Sequence, residues 1–256
     1  MQMKFIIDMD GVLYRSNKKI EGAGRLIEFL RDNKIPFLLA TNNSTRTREM
    51  YVEKLKNMGM FVEKENIITS AFVTARILQE ERRRAKALIV GEIGIFEELR
   101  RIGWDIVDYD SWSNAEYVVV GMDTTLTYKK LKAGCLAINK GAKFVATNDD
   151  RNFPSEEGLI PGAGSVVAAL EAATGKKARV MGKPNEPYAR ILREILGEGE
   201  YWVVGDRLET DMVMADKLHA KKVLVLSGVV QEPSSNVDYN IANAGELVDI
   251  LKELVG

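Results

Sequence analysis

The chain has 256 residues, 46% hydrophobic and 29% charged, enough for one large domain or two modest ones with a real core. Its 36 Lys and Arg nearly balance 37 Asp and Glu, which gives no support to a nucleic-acid-binding or membrane-surface role. One cysteine, Cys135, excludes an intramolecular disulfide or multi-cysteine metal site, and the single histidine, His219, argues against a Ser-His-Asp triad or a His-rich metal centre. No stretch reaches the roughly 18 apolar residues of a membrane span, and the first residues read as a strand, not a signal sequence. A soluble cytoplasmic protein is expected.

Taken in chain order, Phe5-Ile6-Ile7 is a short apolar run of the kind buried on both faces of a parallel sheet. It ends in Asp8 and Asp10, followed by Gly11, where the chain is expected to turn. The spacing predicts a helix over 22–33, with Leu26, Ile27, Phe29 and Leu30 facing inward, then a strand over 37–40. Ser44 is a candidate N-cap for a helix running to about Met58, where Gly59 stops it. Ile67-Ile68 is strand-like and 71–80 is helical.

A second series predicts strands over 86–90, 117–120 and 144–146 and helices over 96–101, 128–139 and 165–174. Between them, 105–115 is the poorest in regular pattern. Arg82-Arg83-Arg84 reads as a solvated helix end, and Cys135, among Leu131, Leu136 and Ile138, as a buried small residue. A third series predicts strands over 178–181, 201–204 and 222–226, with helices from Pro187, over 208–218 and over 246–254. His219 closes one of these helices beside Lys217 and Lys221 and reads as a surface or cap residue, because a cation suits that end. Strands alternating with helices predict a parallel sheet with crossover helices, and no linker marks a domain boundary.

Four predicted strand ends carry polar punctuation. The first has Asp8 and Asp10, two carboxylates whose convergence is costly unless a metal, a base or a proton compensates. The second runs into Thr41-Asn42-Asn43-Ser44, whose hydroxyl, amides and backbone N–H groups suit an oxyanion or phosphate cradle. The third runs into Gly182-Lys183-Pro184, where a Lys held between Gly and Pro suits a positioned point charge better than a mobile surface Lys. The fourth runs into Gly205-Asp206-Arg207-Leu208-Glu209-Thr210-Asp211. In a doubly wound sheet the carboxyl ends of neighbouring strands face one crevice. That crevice would gather Asp8, Asp10, Thr41, Asn42, Lys183, Asp206 and Asp211, with a formal charge of −3. All-oxygen ligands favour a hard cation, Mg²⁺ above others. One Mg²⁺ and one proton on Asp10 would neutralise the set, as an enzyme acting on a phosphate dianion requires.

These ordered motifs, Asp8-Met-Asp-Gly-Val, Thr41-Asn-Asn-Ser, Lys183-Pro and Gly205-Asp-xxxx-Asp211, resemble the haloacid dehalogenase superfamily of phosphotransferases. Thr147-Asn-Asp-Asp, Pro161-Gly-Ala-Gly and Val180-Met-Gly-Lys-Pro are similar to its NagD and p-nitrophenyl-phosphatase branch. The resemblance implies a Rossmann-like doubly wound core over 1–78 and 178–256, interrupted by an α/β cap of the C2 type over 79–177. It implies a Mg²⁺-dependent phosphatase of small phosphomonoesters. Asp8 would be the nucleophile that forms an aspartyl-phosphate and Asp10 the general acid and base. Mg²⁺ would be held by Asp8, the Asp10 main-chain carbonyl, Asp206 and Asp211. Gly11, Thr41, Asn42, Asn43 and Lys183 would bind the phosphoryl group, with Thr41 and Lys183 also stabilising charge in the transition state. Dehalogenases lack an acid at the Asp10 position, so Asp10 favours ester hydrolysis; transfer to an acceptor alcohol is the alternative. Asp123, Asn148, Asp149 and Arg151 are polar cap-loop residues that could face the leaving group, although each alone reads as a surface turn. Gly162 and Gly164 do not complete a dinucleotide fingerprint. The expected partners are a small phosphorylated metabolite and a second copy through the cap, with no nucleic acid and no membrane.

Overall fold

The computed structural model describes residues 2–255. The chain begins with β1 (Met3–Asp8), a short hairpin of β2 (Tyr14–Arg15) and β3 (Lys18–Lys19), α1 (Ala23–Asp32), β4 (Phe37–Thr41), α2 (Arg48–Asn57) and β5 (Ile67–Thr69). It continues through α3 (Ser70–Glu81), β6 (Lys86–Val90), α4 (Ile93–Arg101), β7 (Asp105–Val107), β8 (Tyr117–Val120), α5 (Tyr128–Lys140) and β9 (Lys143–Ala146). A hairpin of β10 (Asn152–Ser155) and β11 (Gly158–Pro161), then α6 (Ala163–Thr174) and β12 (Arg179–Val180), complete the middle of the chain. The last elements are α7 (Glu186–Leu196), β13 (Glu200–Gly205), α8 (Val213–Leu218), β14 (Lys221–Val225), β15 (Tyr239–Ile241) and α9 (Ala244–Val255). By its contacts the chain divides into two compact units, one of Met1–Thr41, Glu49–Ile68 and Tyr188–Gly256, the other of Asn42–Arg48 and Thr69–Pro187.

The first unit holds a sheet of order β15-β14-β13-β1-β4-β5, in which β1 runs parallel to both β13 and β4. The chain builds outward from β1 in one direction through β4 and β5, then returns to build in the other through β13, β14 and β15. The order therefore reverses between β1 and β13, where open α/β sheets bind ligands. Phe5, Ile6 and Ile7 are buried on both faces of β1, which explains an unbroken apolar run in place of alternation. Leu26, Ile27 and Leu30 of α1 and Leu247, Val248 and Leu251 of α9 join the same core. Gly59, at φ 76°, ends the turn after α2, and the N–H of Met60 closes back on the Leu55 carbonyl at 2.9 Å. Inside this core the Tyr188 hydroxyl donates to the Ile68 carbonyl at 2.6 Å.

The second unit holds a parallel sheet of order β12-β9-β8-β6-β7. Every residue of β8 is buried, and α5 and α6 pack on this sheet through Ala133, Ala137, Ile138, Val166, Val167 and Leu170. The loop 42–48 belongs to this unit. A Cβ on Gly94 would lie 2.4 Å from the carbonyl oxygens of both Ser44 and Arg46, so α4 can approach that loop only with glycine there. Both large sheets are parallel and most of their strands are joined through helices, the α/β class that the alternation predicts.

Several expectations need correction. Ser44 is not an N-cap: α2 begins at Arg48, and Ser44 is fully buried with its hydroxyl accepting from Thr147 Oγ1 at 3.1 Å. Asn43 Oδ1 accepts from the Thr45 N–H at 2.9 Å and from its hydroxyl at 2.7 Å, a local turn that competes with helix. The irregular stretch 105–115 contains the edge strand β7, and β15 and both hairpins lie where no strand is expected. Cys135 is half-buried and not a core residue. Asp123 is buried, not a surface turn, and pairs with the Lys130 ammonium at 2.7 Å. His219, as expected, caps α8, in the left-handed conformation at φ 52°. Among the described residues, no helix is long and apolar enough to cross a membrane.

Leu39 is fully buried in β4, beside β1. Leu39→Ala is expected to destabilise the first unit by about 2–5 kcal/mol, read as a lower midpoint in urea unfolding.

Candidate active site

Asp8 is the last residue of β1, and Asp206 follows directly on β13. The parallel register sets Ile7 opposite Val204, so both acids emerge at the same edge of the sheet, at its switch point. Asp211 comes from the next turn, a π-helical segment over Leu208–Met212 that brings it back against Gly205. Each of the three offers a carboxylate oxygen, and these oxygens lie within 4.8 Å of one another. They are close to fully buried, at 9% exposure for Asp8 and 2% each for Asp206 and Asp211.

Glycines make the crowding sterically feasible. A Cβ on Gly205 would lie 2.3 Å from Asp211 Cβ, and one on Gly228 would lie 2.0 Å from Asp206 Oδ2. Gly11, at φ 85°, turns the chain directly after Asp10, and a Cβ there would meet Asp206 Oδ2 at 2.2 Å. The backbone holds the acids in place: Val229 N–H donates to Asp206 Oδ2 at 2.7 Å, and Arg207 N–H donates to Asp211 Oδ2 at 3.3 Å. Three buried carboxylates this close repel one another unless protons or a cation offset them. An all-carboxylate donor set suits a hard divalent cation, so these residues fit a metal. The Asp10 carboxylate is not in this group, and Asp10 is half-buried. The Gly11 N–H is already bonded to the Tyr14 carbonyl at 2.8 Å.

Thr41 ends β4 and is buried. Asn42, next in the chain, belongs by contacts to the second unit together with Lys183. Their pairing is two-pointed: Asn42 Oδ1 accepts the Lys183 backbone N–H at 2.8 Å, and Asn42 Nδ2 donates to the Lys183 carbonyl at 3.0 Å. The Asn42 carbonyl accepts Ser70 Oγ at 2.5 Å and Asn148 Nδ2 at 2.7 Å. A Cβ on Gly182 would lie 2.7 Å from Asn42 Oδ1, which explains the glycine before the lysine. The amides of Asn42 and Asn43 thus hold backbone, a use that their sequence context does not reveal. Asn148 is buried against Asn42, whereas Asp149 and Arg151 are exposed. Ser70, Thr147 and Asp150 escape the sequence reading as site-building residues; Thr147 and Asp150 lie in the Thr-Asn-Asp-Asp motif, and no motif marks Ser70.

Gly228→Ala should weaken divalent-cation binding about tenfold or more, because the new methyl must displace a carboxylate that metal binding needs. Calorimetric titration of the variant and the parent with Mg²⁺ measures this, and an unchanged affinity would count against the three-acid centre.

A family model described as haloacid dehalogenase-like hydrolase matches residues 5–105, and a second, HAD-hydrolase-like model matches residues 180–254. The chain is 34% identical over 227 residues to an acid sugar phosphatase of Staphylococcus haemolyticus, covering 88% of this chain and 85% of that one. It is also 34% identical over 229 residues to the 5'-nucleotidase YutF of Bacillus subtilis, covering 89% and 88%. The solved p-nitrophenyl phosphatase from Archaeoglobus fulgidus superposes with a TM-score of 0.89 at 34% identity, covering 96% of this chain and 98% of that one. The strand-end acids, the sheet that gathers them and these matches agree: the chain belongs to the haloacid dehalogenase-like hydrolase family, in its NagD-like phosphatase branch.

Proposed function

We propose that this phosphatase hydrolyses small phosphomonoesters through an aspartyl-phosphate on Asp8, with Mg²⁺ as its divalent cation. The observation that carries the reading is the convergence of the buried Asp8, Asp206 and Asp211 oxygens within 4.8 Å at the sheet's switch point. These carboxylates, with the Asp10 main-chain carbonyl, would hold the ion. When bound, it would neutralise charge on the acids and on the phosphate, so that an anionic nucleophile and an anionic substrate can meet.

The residues divide the chemistry as follows. An Asp8 carboxylate oxygen attacks phosphorus, and the bond from phosphorus to the ester oxygen breaks. Asp10, protonated at that moment, gives its proton to the leaving oxygen. A water then attacks the phosphorus of the aspartyl-phosphate and passes a proton to the Asp10 carboxylate. The bond to Asp8 breaks, releasing phosphate and restoring the nucleophile. Lys183 supplies a positive charge to the transferring group, and the Thr41 hydroxyl a hydrogen bond. Asn42 contributes by fixing the Lys183 backbone, consistent with its two-point pairing. Leaving-group choice falls to the α/β segment proposed as the cap, over 79–177. The acid sugar phosphatase and 5'-nucleotidase names of the relatives share a phosphomonoester and little else, so the proposal goes no further than that class.

Phosphate release from p-nitrophenyl phosphate should require Mg²⁺ and vanish on chelation. Asp8→Asn should lower kcat by at least about a thousandfold. Activity that survived either treatment would sink the reading.

Asp10→Asn should lower kcat by about 10²–10⁴-fold while Mg²⁺ affinity stays near the parent value, since its main-chain carbonyl is unchanged. A loss of Mg²⁺ affinity as severe as in Asp206→Asn would overturn the division of roles between Asp8 and Asp10.

A further inference from the structure

Asp150, in the loop after β9, makes a contact that the mechanism above does not use. Asn42 Nδ2, which donates to the Lys183 carbonyl at 3.0 Å, also lies 3.2 Å from each carboxylate oxygen of Asp150. Asp150 is itself positioned, because its N–H donates to Asn148 Oδ1 at 3.1 Å, while Asn148 Nδ2 donates to the Asn42 carbonyl at 2.7 Å. Asn42, Asn148 and Lys183 are all buried.

A primary amide has two donors on nitrogen and only acceptors on oxygen. With a carboxylate on one side, only the NH₂ group can face Asp150. The second proton is then left for the Lys183 carbonyl, and Oδ1 must take the Lys183 N–H. The flipped amide would set Oδ1 against a carboxylate and a carbonyl, and Nδ2 against an N–H. Every contact would turn repulsive in a buried place, where unmade hydrogen bonds are costly. Asp150 therefore reinforces the amide orientation that the Lys183 N–H and carbonyl already favour, and the charge it carries strengthens the bond it accepts.

We propose that Asp150 is a positioning residue for Lys183, acting through the Asn42 side-chain amide. The proposal rests on the reading of Lys183 as the cation for the transferring phosphoryl group. A small displacement of the Lys183 backbone is carried along its side chain, so the effect falls on turnover. Metal binding by Asp8, Asp206 and Asp211 is left alone.

The test compares Asp150→Ala and the isosteric Asp150→Asn with the parent full-length chain by three readouts. These are kcat on p-nitrophenyl phosphate, Mg²⁺ affinity by calorimetry, and hydrogen exchange of the Lys183 amide by NMR. Asp150→Ala should lower kcat about 10–100-fold, leave Mg²⁺ affinity unchanged and speed exchange at Lys183. Asp150→Asn, which keeps an acceptor without the charge, should fall between. Combining Asp150→Ala with Asn42→Ala should cost no more turnover than Asn42→Ala alone, because both act on one contact. Unchanged exchange at Lys183, whatever the turnover, or additive losses in the double variant, would overturn the proposal. If the parent chain releases no phosphate, the phosphatase reading fails by itself, and the exchange measurement still decides whether Asp150 holds Lys183.

Discussion

Mutual repulsion among Asp8, Asp206 and Asp211 is the constraint around which the first unit is arranged. Charges with oxygens within 4.8 Å of one another repel by at least about 3 kcal/mol per pair at an effective dielectric of about 20. Three pairs reach on the order of 10 kcal/mol, comparable to the ~5–15 kcal/mol by which a whole domain is stable. A fold holds such a cluster only where a cation or protons offset it, and where backbone rather than side-chain mobility fixes the acids. Both conditions leave marks. The sheet reverses its strand order between β1 and β13, so that two acids leave adjacent strands at one edge. Glycines at 11, 205 and 228 clear the space that any Cβ would fill.

The second unit meets a different requirement mainly with hydroxyls and amides, and with one buried, doubly paired carboxylate. Loop 42–48 is fastened by Ser70, Thr147 and Asn148 hydroxyl and amide contacts and by the close approach of Gly94 and Gly121. Arg48 at its end pairs with the buried Glu98 at 2.9 Å and lies over the Phe72 ring at 4.1 Å. Glu98 also takes Arg101 at 3.0 Å, so its buried charge is paired on two sides. Short hydroxyls and amides suit this task because they bond to backbone at close range and lose little side-chain entropy. The result is a rigid seat for Asn42 and, through it, for the backbone of Lys183.

Burial and length explain which elements were legible in the chain. β6 and β8 have the bounds expected from sequence, because residues 87–90 of β6 and all of Tyr117–Val120 are apolar runs buried on both faces. β7 and β15 are short, and each lies at an end of its sheet's strand order, so their pairing comes from a neighbour and not from their own pattern. The β10–β11 hairpin has no fully buried residue and thus no hydrophobic period to read. Ser44 looked like a cap because Ser before an amphipathic stretch usually is one. Its burial against Thr147, more than a hundred residues away in the chain, is what removes it from that role.

The amino-acid sequence by itself determined the α/β alternation, the four polar strand ends and the kinds of group they carry. Those follow from local preference and from the side-chain chemistry that each residue brings wherever it is placed. Only the tertiary structure decided that Asp8, Asp206 and Asp211 share one buried centre and that the Asp10 carboxylate stands outside it. It alone turned the Asn42 amide onto Lys183 and brought Asp150 up behind it. Each of these depends on parallel pairing or packing between residues far apart in the chain. The register that sets such contacts comes from the whole sheet and its core, and no local pattern encodes it.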